Sequence, residues 1–355
     1  SMQPPLLHEG QERVLAVLPP FHIYALTVNM LLGVRLAAEV IQHIRFDPKA
    51  ALADINSPAG QASGYLLFFN CDEGRLQWLN RRHLLGIAVR AARKASRLGA
   101  RIMGLSPPLA AALGDLAAPM ARKLGLTLTG GFGYTAVAAI EGLQKAAALM
   151  AMNLEEATVL VLGAAEPLGA VCTQLLARDG ANYITLVDDD SSRLDLLSRR
   201  VLYDSGVACR ISLQVSRAVG RADLVVIAGR RAGAAFTPGD LKPGAVVCNL
   251  GAAGELSLNI INRRPDVLVF DEVVVRLPGE ALVGYNLGLP GGSISAWMAE
   301  AVLLALEGRC DRYFLGRTLR GEGGRNETAF REAWLHPLRL PGRRPLLGFC
   351  RCEKD

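Results

Sequence analysis

The chain has few aromatics, 6% of its 355 residues, and its 39 Lys and Arg are scattered rather than run together. A groove for single-stranded nucleic acid needs a basic track with stacking rings, so no nucleic-acid partner is expected. A net charge of +6 still suits anionic cofactors or acyl carriers. The seven Cys form no CxxC pair, and no His–Cys couple, carboxylate pair or metal-type cluster stands out, so no metal site is expected. Cys172, Cys209 and Cys248 fall in apolar runs and read as small core residues. Unpaired cysteines of this kind fit a reducing compartment. No uninterrupted apolar run is long enough to span a bilayer and no secretory leader is recognisable, so the expectation is a cytoplasmic protein with no membrane span. What the chain does have is length and 51% hydrophobic content, enough for two domains with cores of their own.

Residues 157–188, ATVLVLGAAEPLGAVCTQLLARDGANYITLVD, carry the most specific pattern. An apolar run from Thr158 to Leu162 ends at Gly163, and a tight turn leads to Gly169. Helix-forming sequence follows from Ala170 to Arg178, and a second apolar run, Tyr183 to Val187, ends on Asp188. This is the strand–turn–helix–strand unit of a dinucleotide-binding fold. Glycines let the backbone approach a pyrophosphate, and the helix N-terminus offers it N–H groups. Ala164, Ala165 and Leu168 are the expected donors. Asp188 is placed to accept the adenosine ribose hydroxyls, which favours NAD over NADP. Glu166 stands at the middle-glycine position. Either it turns outward to solvent, or its charge opposes the phosphates, by ~1 kcal/mol for a unit pair at ~4 Å in water and by more when dry.

Strand and helix alternate on both sides of this unit, which implies parallel sheets. Before it the pattern predicts strands over 14–18 and 38–42 around a helix at 24–32, then a turn-rich linker at 56–63. Next come a strand at 64–70, an amphipathic helix over 81–98, a strand at 101–105, helices at 109–113 and 116–124, and a strand at 126–129. A glycine-rich loop spans 129–135, followed by a helix at 136–152. After Asp188 it predicts helices over 191–203, 215–221 and 256–263 and strands over 207–213, 224–228, 245–250 and 267–270. An apolar helix over 291–307 is expected to pack back on the N-terminal half. The expected fold is α/β, a Rossmann-type doubly wound parallel sheet with a second α/β N-terminal domain. Its divisions are an N-terminal segment 1–63, a substrate-side domain 64–150, a dinucleotide-binding domain 151–290, a helix within 291–319 and an irregular tail 320–355.

Residues 13–54, with Pro-Pro-Phe-His-Ile-Tyr at 19–24, resemble an internal stretch of the adenylate-forming acyl-CoA ligases. The resemblance implies that Phe21 and His22 match an aromatic–His pair near an acyl and nucleotide pocket. The phosphate loop, adenylate motifs and C-terminal lysine domain of that family are absent, so ligase chemistry is not expected and His22 reads as a packed residue. A second resemblance spans residues 65–319. It rests on LGARIMGL (98–105), Thr129 to Ala136, EGLQKAAALM (141–150), LKPGAVVCN (241–249) and MAEAVLLALEGR (298–309). In these segments the chain is similar to the long-chain acyl-[acyl-carrier-protein] reductases and their shikimate-dehydrogenase-like relatives. That likeness implies nicotinamide-dependent reduction of an acyl thioester through an acyl-cysteine. The positions that would perform it differ here. Pro278 stands in place of the nucleophilic Cys, Trp297 in place of a second Cys, and Phe132 in place of a loop Asn. Asp188, Asp189 and Asp190 replace an NADPH-favouring Arg. The fold is expected to survive these changes and the thioester chemistry is not.

Further candidates follow from the fold. Ala228 and Gly229, after the fourth strand, lie where a nicotinamide ribose passes. Arg230 and Arg231 either clamp phosphates or are simply exposed, and Asn249 and Asn286 mark polar loop ends. Tyr134 and Thr135 are the donor-bearing residues of the glycine-rich loop and the candidate catalytic groups, although such residues are commonly structural. The leading expectation is an oxidoreductase using NAD, with NADP second, on a small-molecule carbonyl or acyl-type substrate in an interdomain cleft. Association into a homo-oligomer is left open. The alternative is a catalytically degenerate relative that binds a nucleotide or a partner.

Overall fold

The computed structural model describes residues 64–67, 81–229, 236–251, 254–271, 273–276 and 293–306, Leu289, and short strands before them. Those strands are β1 (Arg13–Ala16) and β2 (Glu39–Gln42), which pair in parallel, and β3 (Ile55–Ser57) and β4 (Gly60–Ala62), which form an antiparallel hairpin where a linker was expected. The expected helix at 24–32, Phe21, His22 and the tail lie outside the described residues.

In the N-terminal half, α1 (Arg81–Arg97) leads to β5 (Ile102–Gly104), α2 (Pro107–Leu113) and α3 (Ala117–Leu124). Then come β6 (Thr127–Thr129), parallel to β5, and the long α4 (Phe132–Leu149). The break between α2 and α3 is a 3-10 turn, and Gly125 ends α3 in the left-handed conformation that a Cβ disfavours.

The second half holds one six-stranded parallel sheet. Its elements in chain order are β7 (Thr158–Leu162), α5 (Pro167–Arg178), β8 (Tyr183–Val187), α6 (Ser191–Ser205), β9 (Arg210–Ile211) and α7 (Val215–Val219). They continue with β10 (Leu224–Ile227), β11 (Val246–Asn249), α8 (Gly254–Arg263) and β12 (Leu268–Phe270). Across the sheet the strands run β12-β11-β10-β7-β8-β9. Read from its other edge, with β7 as the first strand of the unit, this is the order of a Rossmann fold. The sequence dictates it through strands that are apolar at almost every position, since a parallel sheet covered on both faces must bury both sets of side chains. Val159 and Val161 join one core with Ile184, Leu186, Val226 and Cys248. Leu160 and Leu162 join the opposite core with Val225, Ile227 and Val247.

The chain closes with β13 (Val274–Arg276) antiparallel to β14 (Ser293–Ser295), which runs directly into α9 (Ala296–Leu306). Residues 293–295 were expected to be helical. They form a strand because the main chain extends to pair with 274–276, and the helix starts only where the Ala296 N–H bonds the Val273 carbonyl at 2.9 Å. α9 packs on α4 and β5, and α4 packs on α5, so the long helix joins both halves of the molecule.

Candidate functional site

The carboxyl ends of β7 and β10 lie side by side, with Leu162 level with Ile227. From this point the chain leaves β7 toward β8 and leaves β10 toward β11, so it is the switch point at which open α/β sheets bind ligands. Three glycines let the backbones close on it. Gly163 has φ of +76°, and a Cβ there would collide with the main chain of Gly229. A Cβ on Gly251, beyond β11, would collide with the Ala228 carbonyl. Ala228 and Gly229 both donate to the Leu162 carbonyl, at 2.8 and 3.3 Å, which fixes the post-β10 segment against the first turn. Gly251 was not singled out from sequence. Its signal was a glycine just past a strand that ends on a polar residue.

The turn from Gly163 to α5 is tightly bonded. The N–H groups of Gly163 and Ala164 both donate to the Val187 carbonyl, and Glu166 N–H donates to the Gly163 carbonyl at 3.1 Å. Gly169 sits beneath this turn, where a Cβ would strike the Gly163 carbonyl, so the last glycine of the fingerprint serves helix packing. Glu166 is the N-cap of α5 at φ −71°, ψ 153°, ordinary extended backbone, and it is exposed. Nothing in that conformation requires glycine, which is how a bulky acid fits the middle position. Pro167 opens α5 without an N–H, leaving Leu168 and Gly169 as the first-turn amides with no partner inside the helix.

Asp188 follows β8 and faces the turn. Its Oδ2 accepts the Ala165 N–H at 3.0 Å and its Oδ1 accepts the Asp190 N–H at 3.3 Å. Ala164 and Ala165, expected as phosphate donors, therefore already bond within the protein. A carboxylate has about four acceptor positions, so Asp188 keeps capacity for further donors. Asn249 is 3% exposed and donates through Nδ2 to Ser257 Oγ at 3.0 Å, tying β11 to α8. Arg230, Arg231, Pro278 and Asn286 lie outside the described residues.

The glycine-rich stretch at 129–135 differs from the loop expected. α4 begins at Phe132, so Tyr134 and Thr135 stand in the first turn of a helix. Two features start it early. Gly131 caps it in the left-handed region, with φ of +70°, where a Cβ would strike the main chain of Trp297. Glu300 of α9, 2% exposed, supplies the acceptor the helix end needs: Oε2 takes the Tyr134 N–H at 2.7 Å, and Oε1 takes the Thr129 hydroxyl. The Thr129 oxygen in turn accepts the Gly131 N–H at 3.0 Å. Burial pushes the Glu300 carboxyl up to about 7, against the opposing pull of the Thr129 hydroxyl and the Tyr134, Gly133 and Gly131 amides. Glu300 was not identified from sequence. A lone acid in an otherwise apolar helix, at the position facing a glycine loop, was the available signal.

Tyr134 packs on the cluster of Ala138, Val275, Ile294, Ala296 and Ala299. Burial first, and then Glu141, raise its phenol above the ordinary tyrosine range, so at neutral pH it is a hydrogen-bond donor and not a base. The Thr135 hydroxyl oxygen is buried without a hydrogen-bond partner, an arrangement folded proteins usually avoid. Cys172 and Cys248 are fully buried, and burial pushes the Cys172 thiol up to about 12.

Strand order, the switch point and the glycine turn define this half as a Rossmann-type α/β domain. No known protein family matches the sequence, and no curated protein matches it. Among solved structures, the chain is similar over 48% of its length to 58% of a dipicolinate synthase chain from Bacillus halodurans, at 15% identity and a TM-score of 0.32. It is similar over 33% of its length to 36% of a pyrroline-2-carboxylate reductase from Thermococcus litoralis, solved with NADH and L-proline, at 13% identity and a TM-score of 0.26. A Bacillus subtilis protein solved with NAD bound, yhfP, is similar over 43% of its own length and 40% of this chain, at 17% identity and a TM-score of 0.30. The chain thus spans less than two thirds of each, and the fold class stands on its own strand order and glycine contacts.

Proposed function

We propose that this protein is an oxidoreductase that holds a nicotinamide dinucleotide across the carboxyl edge of the six-stranded sheet, NAD in preference to NADP. One observation carries the reading: Gly163 and Gly251 let the first turn, the 228–229 segment and the end of β11 come together at the switch point, where a Cβ on either glycine would collide with the 228–229 main chain. A packed core alone has no need of bare backbone at the open end of a sheet. Asp188 would accept the adenosine ribose hydroxyls on its remaining positions and would repel a 2′-phosphate. The Leu168 and Gly169 amides would face the pyrophosphate, with Ala228 and Gly229 beside the nicotinamide ribose. The cofactor, when bound, supplies hydride chemistry.

The substrate in this reading is a small carbonyl or acyl compound, for which the resemblance over 65–319 to acyl-carrier reductases is the support. Tyr134 would donate its phenolic proton in a hydrogen bond to a carbonyl oxygen, and the unpartnered Thr135 hydroxyl is a second donor for the same task. Reduction through an acyl-cysteine is not part of the proposal. The test is a fluorescence titration. NADH should bind at micromolar concentrations, and Asp188→Ala should weaken NADH more than NADPH. Failure of both nucleotides to bind would overturn the reading.

A second reading, a nucleotide- or partner-binding relative without turnover, is favoured by one observation: the Ala164 and Ala165 amides are bonded internally, and an acid occupies the cap of α5. NADH binding without hydride transfer to any of a panel of aldehydes, ketones and acyl thioesters would select it.

A further inference from the structure

A second concavity, lined by polar and apolar groups alike, lies on the face of the sheet, away from the glycine turn. Its floor is a row set by strand register, in which Leu160 of β7 lies beside Thr185 of β8, and Thr185 beside Arg210 of β9. Leu160 and Thr185 each stand two positions before the last residue of their strand, so the row lies below the carboxyl edge where Gly163 and Asp188 sit. The wall comes from Ser212 and Gln214 and from Arg217 and Arg221, on and just after α7. The open cleft holds about 80 Å³, room for one phosphate-sized group.

The cleft gathers charge of one sign. Elsewhere in the domain Arg178, Arg193, Arg200, Lys242 and Arg264 each meet a carboxylate within 4 Å. Arg210, Arg217 and Arg221 line one concavity with hydroxyls and an amide, and no carboxylate is among its lining residues. The nearest acid in sequence, Asp223, is taken up by Lys242 and by the Thr158 N–H. All three arginines are exposed, so solvent screens their mutual repulsion, and an anion in the hollow meets three charges of the opposite sign at once. Guanidinium groups beside hydroxyl donors suit a tetrahedral oxyanion through paired N–H bonds.

We infer that this cleft is a binding site for the phosphate group of a small phosphorylated metabolite, separate from the dinucleotide site. The inference does not depend on cofactor binding at the glycine turn. The test is calorimetric titration of the whole chain with inorganic phosphate and with glycerol phosphate, in chloride buffer of matched ionic strength. Both should bind at millimolar concentrations or tighter. Arg217→Gln should weaken them at least fivefold, and Arg210→Gln with Arg217→Gln at least twentyfold, while the circular dichroism spectrum stays that of the parent. Saturating NADH should leave phosphate affinity unchanged. Equal affinity in the arginine variants, no heat with either anion, or displacement of phosphate by NADH would each overturn the assignment. The failure of NADH itself to bind would bear on the dinucleotide site alone.

Discussion

Replacing Glu300 by Gln isolates the cost of burying one carboxylate beneath a helix end. The group is 2% exposed, and its carboxyl is raised from 4.5 to about 7. A native pKa above the unfolded one means the folded chain holds the proton more tightly. Its contribution is therefore fully present below about pH 4.5 and is lost as pH rises through about 7. At about 1.4 kcal/mol per pH unit, the fall amounts to about 3 kcal/mol between those limits. Gln is isosteric and cannot ionise. Its carbonyl can take the Tyr134 N–H, and its NH₂ group can donate to the Thr129 oxygen, but the Thr129 hydroxyl hydrogen then loses its acceptor, at about 1 kcal/mol.

Glu300→Gln is accordingly expected to be less stable than the parent by about 1 kcal/mol at pH 4, about equal to it near pH 5, and more stable by about 2 kcal/mol at pH 8, the net of those two effects. Urea unfolding at pH 4, 5, 6, 7 and 8 reads this directly, as midpoints that cross while the slope of each transition stays constant. Groups titrating elsewhere cancel in the difference between the two proteins. Parallel stability profiles over the whole range would refute the reasoning, because they would mean that Glu300 ionises equally easily folded and unfolded.

Gly131→Ala should destabilise the fold by more than about 2 kcal/mol, since it combines a left-handed φ of +70° with a collision against Trp297 main chain. Trp297→Ala should not rescue it in a thermal melt, because the clash includes the Trp297 Cα and carbonyl oxygen. Cys172 and Cys248 should resist thiol-specific reagents at pH 8 in the folded chain and react on denaturation, as peptide mapping would read. Burial leaves both with almost no thiolate, raising Cys172 to about 12 and Cys248 well above its ordinary value.

The central sheet was legible because parallel strands buried on both faces leave uninterrupted apolar runs. Thr158 to Leu162, Tyr183 to Val187 and Leu224 to Ile227 begin or end within a residue of the expected bounds. The strand at β9 was overestimated because an edge strand pairs on one side only, and two residues suffice. β13 and β14 escaped notice because they pair antiparallel across a long sequence separation, and each is three residues long. The start of α4 was hidden for a related reason. Glycine and aromatic residues at 130–134 have little helix propensity of their own, and what holds them helical is a carboxylate supplied from residue 300. The same distance concealed Glu300 as the acceptor at the start of α4, and the arginine cleft is likewise assembled from three strands and a short helix. Local pattern yields the scaffold, while contacts between distant segments decide which polar groups are buried together.

Glu166 joins the sequence pattern to the geometry most directly. Its backbone is extended and its side chain exposed, so the turn closes without a middle glycine, and the cost of the substitution reduces to charge. That charge sits at the cap of a helix whose first residue, Pro167, offers no N–H. A phosphate there meets fewer donors than usual and one more anion. At a separation of ~4 Å the repulsion is ~1 kcal/mol in water, a factor of about five in affinity. Glu166→Gln removes the charge and keeps the chain length, so it should tighten NADH about fivefold in ~50 mM salt, with the gain shrinking toward unity at ~500 mM as screening takes over. A gain that persists undiminished at high salt would point to steric crowding. No gain at either salt would show that the carboxylate lies clear of the phosphates and that the fingerprint tolerates an acid at this position without loss.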